Sequence, residues 1–180
     1  MNTTKKTTKK TAFLGEYYTL FEYSTLEELR KEALLYNIRI GEKTKIGKNV
    51  KLGRNSTIIY GSTLGSNSIL GSYSTLGSYS TLGSNSIIGN DVVLLTKAKV
   101  KAGWVIKKAI HLVNEYRYHV SGYFIKGVII IQMGCYTRTL EEWENNFWNN
   151  DEEFPKDTPR GEERLEAFMK IRAIMKLYRD

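Results

Sequence analysis

Cysteine, histidine and proline are scarce in this chain, and long apolar runs are missing. Of 180 residues one is Cys, two are His and two are Pro. A lone Cys135 excludes an intramolecular disulfide and suits a reducing compartment, so a cytoplasmic protein is expected. Two prolines are few for a loop-rich fold. No apolar run approaches the roughly 20 residues a membrane helix needs, so no membrane partner is expected. Met1 to Lys10 is mostly Thr and Lys with no apolar segment, unlike a signal peptide.

What is present is a basic, moderately apolar composition. Hydrophobic residues make up 41% and aromatics 12%, enough to bury a core. The net charge of +8 favours anionic partners. Lys5, Lys6, Lys9 and Lys10 are read as part of a flexible basic tail over residues 1–12, where charge equally serves solubility.

A repeat dominates the middle of the chain. Stepping by six from Ile40 gives Ile46, Leu52, Ile58, Leu64, Leu70, Leu76, Leu82, Ile88, Leu94 and Val100, eleven aliphatic positions without a slip. The next residue is Gly in eight of the eleven, failing at Ile59, Leu95 and Lys101. The fifth position is Ser, Thr, Val or Ala until Trp104. Neither a helix nor an alternating strand has this period. Each hexad makes a short strand and a corner, three hexads close a coil of 18, and stacked coils bury an apolar column. Corners need residues that tolerate positive φ, and the fourth position supplies Asn49, Asn55, Asn67, Asn85, Gly61, Gly103 and Asp91. The expected fold is therefore mainly β. A left-handed parallel β-helix over residues 40–105, about 3.7 coils and about 17 Å tall, is its centre.

Residues 18 apart share a face. One face is assigned Ile46, Leu64, Leu82 and Val100, with an outward apolar strip of Ile69, Ile87 and Val105 below Lys51. Such a strip suits burial against another copy, so a homo-oligomer, a trimer for preference, is expected. A second face exposes Tyr60, Thr63, Tyr79 and Thr81 between Lys43 and Lys45 on one side and Lys97 and Lys99 on the other. A third carries Arg54, Asn55, Thr57, Tyr73, Thr75, Asn90 and Asp91. From Asn55 to Asn90 no residue is charged, which leaves a neutral hydroxyl- and amide-rich belt between basic collars. Tyrosines for stacking, hydroxyls for hydrogen bonds and rim lysines suit a small nucleotide-like anion. Serine and threonine also fill exposed strand positions with no function at all.

The flanks read as caps. Residues 13–39 form an N-terminal cap in which Thr25-Leu-Glu-Glu28 opens a helix to about Tyr36. Residues 106–180 form a small C-terminal α+β domain. Strands are expected at Trp104–Val113, Tyr116–Phe124 and Gly127–Met133, with turns near Asn114, Ser121-Gly122 and Lys126-Gly127. Thr139-Leu-Glu-Glu142 opens a helix carrying Trp143, Phe147 and Trp148. A final helix carries Leu165, Phe168, Met169, Arg172 and Met175. Its apolar stripe reads as core.

The hexads resemble those of the hexapeptide-repeat superfamily, including acyltransferases that use coenzyme A or acyl carrier protein and γ-class carbonic anhydrases. The anhydrases hold zinc with three histidines of their coils; these coils have none, so no metal is expected. The acyltransferases place a histidine in or beside the coils as general base. Here the coils offer only the carboxylates of Glu42 and Asp91. If the chain is an enzyme, His119 and Cys135 are the candidates for base and nucleophile, although a lone cysteine after Gly134 also reads as a small buried residue. Gly134-Cys-Tyr-Thr-Arg-Thr-Leu-Glu-Glu-Trp143, with the end helix from Leu165 to Ile171, resembles the C-terminal module of phage and prophage hexapeptide-repeat proteins. That resemblance implies a virus-encoded accessory protein in the host cytoplasm. The leading expectation is a non-catalytic oligomer, without cofactor, that sequesters a nucleotide-type host signal. Its ligand-binding candidates are Lys43, Lys45, Arg54, Tyr60, Tyr73, Tyr79, Thr81, Lys97, Lys99, Arg117, His119 and Arg138. Nucleic acid is not an expected partner. An acyltransferase and a structural or host-protein interaction module are the alternatives.

Overall fold

The computed structural model describes residues 9–112, 117, 119–148 and 154–178. The chain opens with β1 (Lys10–Leu14), β2 (Thr19–Tyr23) and α1 (Leu26–Leu34). Short solenoid strands follow: β3 (Arg39–Ile40), β4 (Lys45–Ile46), β5 (Val50–Leu52), β6 (Thr57–Ile58), β7 (Thr63–Leu64) and β8 (Ile69–Leu70). The same run continues as β9 (Thr75–Leu76), β10 (Thr81–Leu82), β11 (Ile87–Ile88), β12 (Val93–Leu94), β13 (Lys99–Val100) and β14 (Val105–Ile106). Each pairs in parallel with the strand one coil away, as Ile40 with Ile58, Leu64 with Leu82 and Leu70 with Ile88. Three faces result: β3-β6-β9-β12, β4-β7-β10-β13 and β5-β8-β11-β14.

The expected parallel β-solenoid is present, and its interior follows the six-residue period. Every sixth residue from Ile46 to Ile106 is buried, each contributing about 1.5–3 kcal/mol on leaving water. The serines before the outward row are inside as well. Ser56, Ser62, Ser68, Ser74, Ser80 and Ser86 are fully buried, which corrects the reading of the belt's serines as exposed filler. Three of them join coils: Ser62 Oγ donates to Gly77 O (2.8 Å), Ser74 Oγ to Gly89 O (2.6 Å) and Ser80 Oγ to Leu95 O (3.0 Å).

Close coil stacking explains the glycine column. A Cβ on Gly65 would lie 2.4 Å from the Ser84 nitrogen, and one on Gly53 2.2 Å from that of Ser72. Two of the three exceptions, Leu95 and Lys101, follow strands that end their sheets, with no solenoid strand beneath them.

The assignment of outward residues to faces needs correcting. Lys51, Ile69, Ile87 and Val105 lie beside inward Leu52, Leu70, Ile88 and Ile106, not on the face of Ile46 and Leu64. The residue preceding each aliphatic position shares its strand, so the outward row belongs to the strand after the corner.

Both ends of the prism are capped. β1 pairs in parallel with β5 and antiparallel with β2, which widens the β5 face to six strands in the order β14-β11-β8-β5-β1-β2. β1 starts at Lys10, inside the stretch expected as tail, because Ala12 and Leu14 are needed over the first coil and are fully buried; residues 1–8 lie outside the described ones. In α1 the Thr25 hydroxyl accepts from Glu28 N (3.2 Å), and the Glu28 carboxylate accepts from Ser24 N (2.8 Å). Arg30 then donates to the carbonyls of Ile40 (3.1 Å) and Gly41 (2.6 Å), covering the free edge of β3. The helix ends at Leu34, two residues short of the expected stop.

The C-terminal region is a sheet of β15 (Ala109–Leu112), β16 (Val120–Ile125), β17 (Val128–Met133) and β18 (Tyr136–Thr139), with α2 (Leu140–Asn145) and α3 (Pro159–Leu177). Its strands are antiparallel in chain order. One side of the sheet, Tyr123, Ile125 and Ile130, joins the solenoid core; the other packs Ile129, Ile131 and Met133 against Trp143, Phe168, Ile171 and Met175. The sheet thus closes the lower end of the prism and carries the helices behind it.

Several expectations fail here for physical reasons. The strand expected over Trp104–Val113 is two, β14 in the solenoid and β15 in the new sheet. Ser121-Gly122 is not a turn but lies inside β16, where the Met175 side chain packs onto the glycine and a Cβ would sit 2.2 Å from its Sδ. The Asn114 turn and the start of the Tyr116 strand lie outside the described residues. α2 ends before Phe147 and Trp148. The buried stripe of α3 is Arg164, Ala167, Phe168, Ile171 and Met175, leaving Leu165 and Met169 exposed. Buried Arg164 is the reason for the shift: its guanidinium lies over the rings of Trp143, Phe147 and Phe154 and donates to Phe147 O.

Candidate functional site

Each coil turns three corners, and each corner has one residue in the left-handed region. Between the β4 and β5 faces these are Asn49, Asn67, Asn85 and Gly103, the residue types that enter this region most easily. The side chains of this corner also form an amide ladder, Asn49 donating to Asn67 (3.2 Å) and Asn67 to Asn85 (3.2 Å). Between the β5 and β3 faces the residues are Asn55, Tyr73 and Asp91, below Asn37 of the cap.

The corner between the β3 and β4 faces is built differently. Its left-handed residues are Lys43 (φ 53°), Gly61, Tyr79 (φ 56°) and Lys97 (φ 61°). Long side chains here cost on the order of 1 kcal/mol or more each relative to glycine. They are placed in register. Lys43 Nζ lies 5.2 Å from the Tyr60 ring centroid, and Tyr60 meets Tyr79 edge-on with centroids 5.5 Å apart. Tyr79 folds over Gly61, where a Cβ would come within 2.8 Å of its ring. Beside this column the β4 face presents Lys45, Thr63, Thr81 and Lys99 in one vertical row.

Seven of the sequence candidates therefore come together: Lys43, Lys45, Tyr60, Tyr79, Thr81, Lys97 and Lys99. The surface is a shallow polar face with exposed lysines at both ends and exposed Tyr79 in the middle. Lys101, not singled out from the sequence, extends the lower basic end; its charge helps hold the Glu142 carboxyl below the usual range, after the Thr139 hydrogen bonds. Glu42 is the exposed carboxylate beside Lys43.

The other candidates lie elsewhere. Arg54 and Tyr73 are on the corner between the β5 and β3 faces, with Tyr73 exposed. Arg117 is paired through Nε (2.9 Å) and a terminal nitrogen (2.6 Å) with Glu163 of α3. Arg138 lies over the rings of Trp143 and Tyr136. His119 and Cys135 are close in the backbone, since Gly134 N donates to His119 O (2.8 Å) at the end of the C-terminal sheet. Cys135 is exposed, contrary to its reading as a small buried residue, because the β17–β18 turn that carries it projects from the sheet. Ile69, Ile87 and Val105 form a half-buried outward row on the β5 face.

One polar cluster was missed by sequence reading. His111, one coil below Val93, bonds the Val93 carbonyl through Nε2 (2.7 Å) and Ser121 Oγ through Nδ1 (2.7 Å). Burial lowers its pKa, with His119 adding to the effect and the Val93 bond opposing it. Ser121 is fully buried beside Tyr123, whose hydroxyl donates to Gln132 (2.6 Å) and whose pKa is raised by burial. The 18-residue spacing of His111 from Val93 is the signal that could have found it. The fully buried serine has no access for a substrate, so the cluster reads as a joint. Among the described residues no group of three His, Cys, Asp or Glu side chains is placed to hold a metal ion.

A family model described as bacterial transferase hexapeptide (six repeats) matches residues 43–78. This stretch is two coils' length, and with the solenoid it supports assigning the repeat to the hexapeptide-repeat superfamily. No curated protein and no solved structure matches the chain.

Proposed function

We propose that the chain is a non-catalytic binding protein whose β4 face, with the Tyr60–Tyr79 corner, holds a small nucleotide-type anion. The observation that carries this reading is the presence of Lys43, Tyr79 and Lys97 at left-handed positions of one corner, where asparagine and glycine serve the corner between the β4 and β5 faces. Side chains kept against the backbone's preference point to a use other than folding. Tyrosine faces stack a planar base, threonine hydroxyls read a sugar, and lysines neutralise phosphate. In a virus-encoded protein this site would sequester a host defence signal.

The reading includes self-association. On the β5 face Phe13 is paired with Leu20 and stands in register with Lys51, above Ile69, Ile87 and Val105. Lys51 Nζ lies over the rings of Phe13 (5.8 Å) and Tyr18 (5.4 Å), which spreads the apolar character across its own position. Such a face suits contact with further copies, three in a closed ring.

Native mass spectrometry of the purified chain tests both parts, giving subunit number and any retained small molecule. A monomer with nothing bound, with no nucleotide shifting the melting temperature, overturns the reading. The family match to transferases favours acyl transfer as a second reading, with exposed His119 as base. Turnover of acetyl coenzyme A that disappears in His119→Ala would replace the first reading with it.

A further inference from the structure

The charges of the β4 face are divided between its two ends. Lys43-Thr-Lys45 and Lys97-Ala-Lys99 are separated by 54 residues, three coils of 18, and so occupy the same angular position on the first and last coils. At about 4.8 Å per coil they stand about 14 Å apart along the prism axis. Between them each column is neutral: Gly61 and Tyr79 on the corner, with Tyr60 beside Gly61, and Thr63 and Thr81 on the face. Both columns read cation, neutral, neutral, cation, an arrangement almost symmetric about the middle of the prism.

A ligand with a single anionic group would be best served by four lysines around one point. From this separation we infer that the ligand is two-headed: a linear molecule with a phosphate at each end and a neutral, hydroxyl-bearing, planar-ringed middle, lying along the prism axis. The inference rests on the nucleotide-binding reading above and adds the ligand's length and charge distribution. Exposed lysine–anion contacts are individually weak and screened by salt. Two such ends joined by a spacer of matching length make the second contact intramolecular, raising affinity by about a hundredfold or more without any new contact. Lys43, though exposed, already lies with its Nζ 5.2 Å from the Tyr60 ring centroid, so the upper end leans toward the belt.

Protective charge offers a rival account of the same lysines. β4 and β13 end their sheet without a further strand, and lysines on edge strands discourage pairing with other chains. That account leaves ligand affinity indifferent to Lys97, which makes the two separable.

The experiment is calorimetric titration of the full chain at low salt with two probes. One is adenosine 5′-monophosphate; the other is a linear diadenosine dinucleotide joined by an uncharged methylphosphonate linkage and phosphorylated at both its 5′ and 3′ ends. The two-headed probe is expected to bind at least tenfold tighter. Lys43→Gln and Lys97→Gln, exposed positions whose folding is checked by circular dichroism, each bring it down to the monophosphate level. Equal affinity for the two probes, with Lys97→Gln behaving as the parent, overturns the two-headed ligand and leaves a one-ended anion site standing. Absence of binding by both probes overturns the nucleotide reading itself.

Discussion

His111 holds the last solenoid strand of its face through Val93: the imidazole Nε2 lies 2.7 Å from the Val93 carbonyl oxygen, where the next coil's strand would otherwise pair. A carbonyl can only accept, so the proton sits on Nε2, and in the neutral ring Nδ1 accepts from the Ser121 hydroxyl. One side chain thereby caps a strand edge and fastens the C-terminal sheet to the prism.

Stability is expected to fall on mild acidification. The folded-state pKa of His111 lies below the ordinary 6.5, so the unfolded chain takes up the proton first as the pH falls. The loss begins as the pH drops through 6.5 and levels off below the folded-state value. Glu28, Glu142, Glu144 and Glu163, all held below the usual carboxylate range, add their losses only below 4.5. Melting temperatures between about pH 8 and 5 check this, with His111→Gln as control. A parent curve as flat as the variant's would refute a half-buried imidazole held neutral by Val93 and Ser121.

Leu76→Ala is expected to destabilise the protein by about 2–5 kcal/mol, because a fully buried column residue leaves a cavity its rigid neighbours cannot fill. Urea denaturation measures it. Leu165→Ala, at a more exposed position of α3, is expected to cost far less.

The glycine column offers a comparison at constant chemistry. Gly65→Ala places a Cβ 2.4 Å from a backbone nitrogen, whereas at Gly89 the nearest atom, in the last coil, is 3.3 Å away. The first is expected to cost about 1–3 kcal/mol or to prevent folding. Gly89→Ala is expected to express and melt close to the parent. Equal behaviour would mean the coils are not held at this spacing.

Ile87→Glu tests self-association. The residue stands in the outward row between Ile69 and Val105, so a charge there is expected to turn a trimer into monomers while circular dichroism stays unchanged. Sedimentation velocity reads the outcome, and an unaltered oligomer would place the contact on another surface.

The solenoid was legible because its cause is periodic: an inward aliphatic every sixth residue and glycine wherever coils touch are local requirements, repeated until the chain states them unmistakably. The capping boxes at Thr25 and Thr139 were legible for the same reason, each satisfying helix-end donors within four residues. The vertical rows Lys43, Tyr79, Lys97 and Lys45, Thr63, Thr81, Lys99 followed from the 18-residue spacing, while the face that carries the second row did not. Tertiary structure decided what depends on contacts between unlike parts. The β1–β2 hairpin exists because the first coil has an open edge to cover, and Gly122 sits in a strand because Met175 arrives from a helix over fifty residues away. Arg164 is buried because three aromatic rings converge on it. Within one chain, repetition writes the coil into the sequence; only the meeting of the prism's ends with the rest of the chain could make His111 a joint and leave the lysine-ended face open.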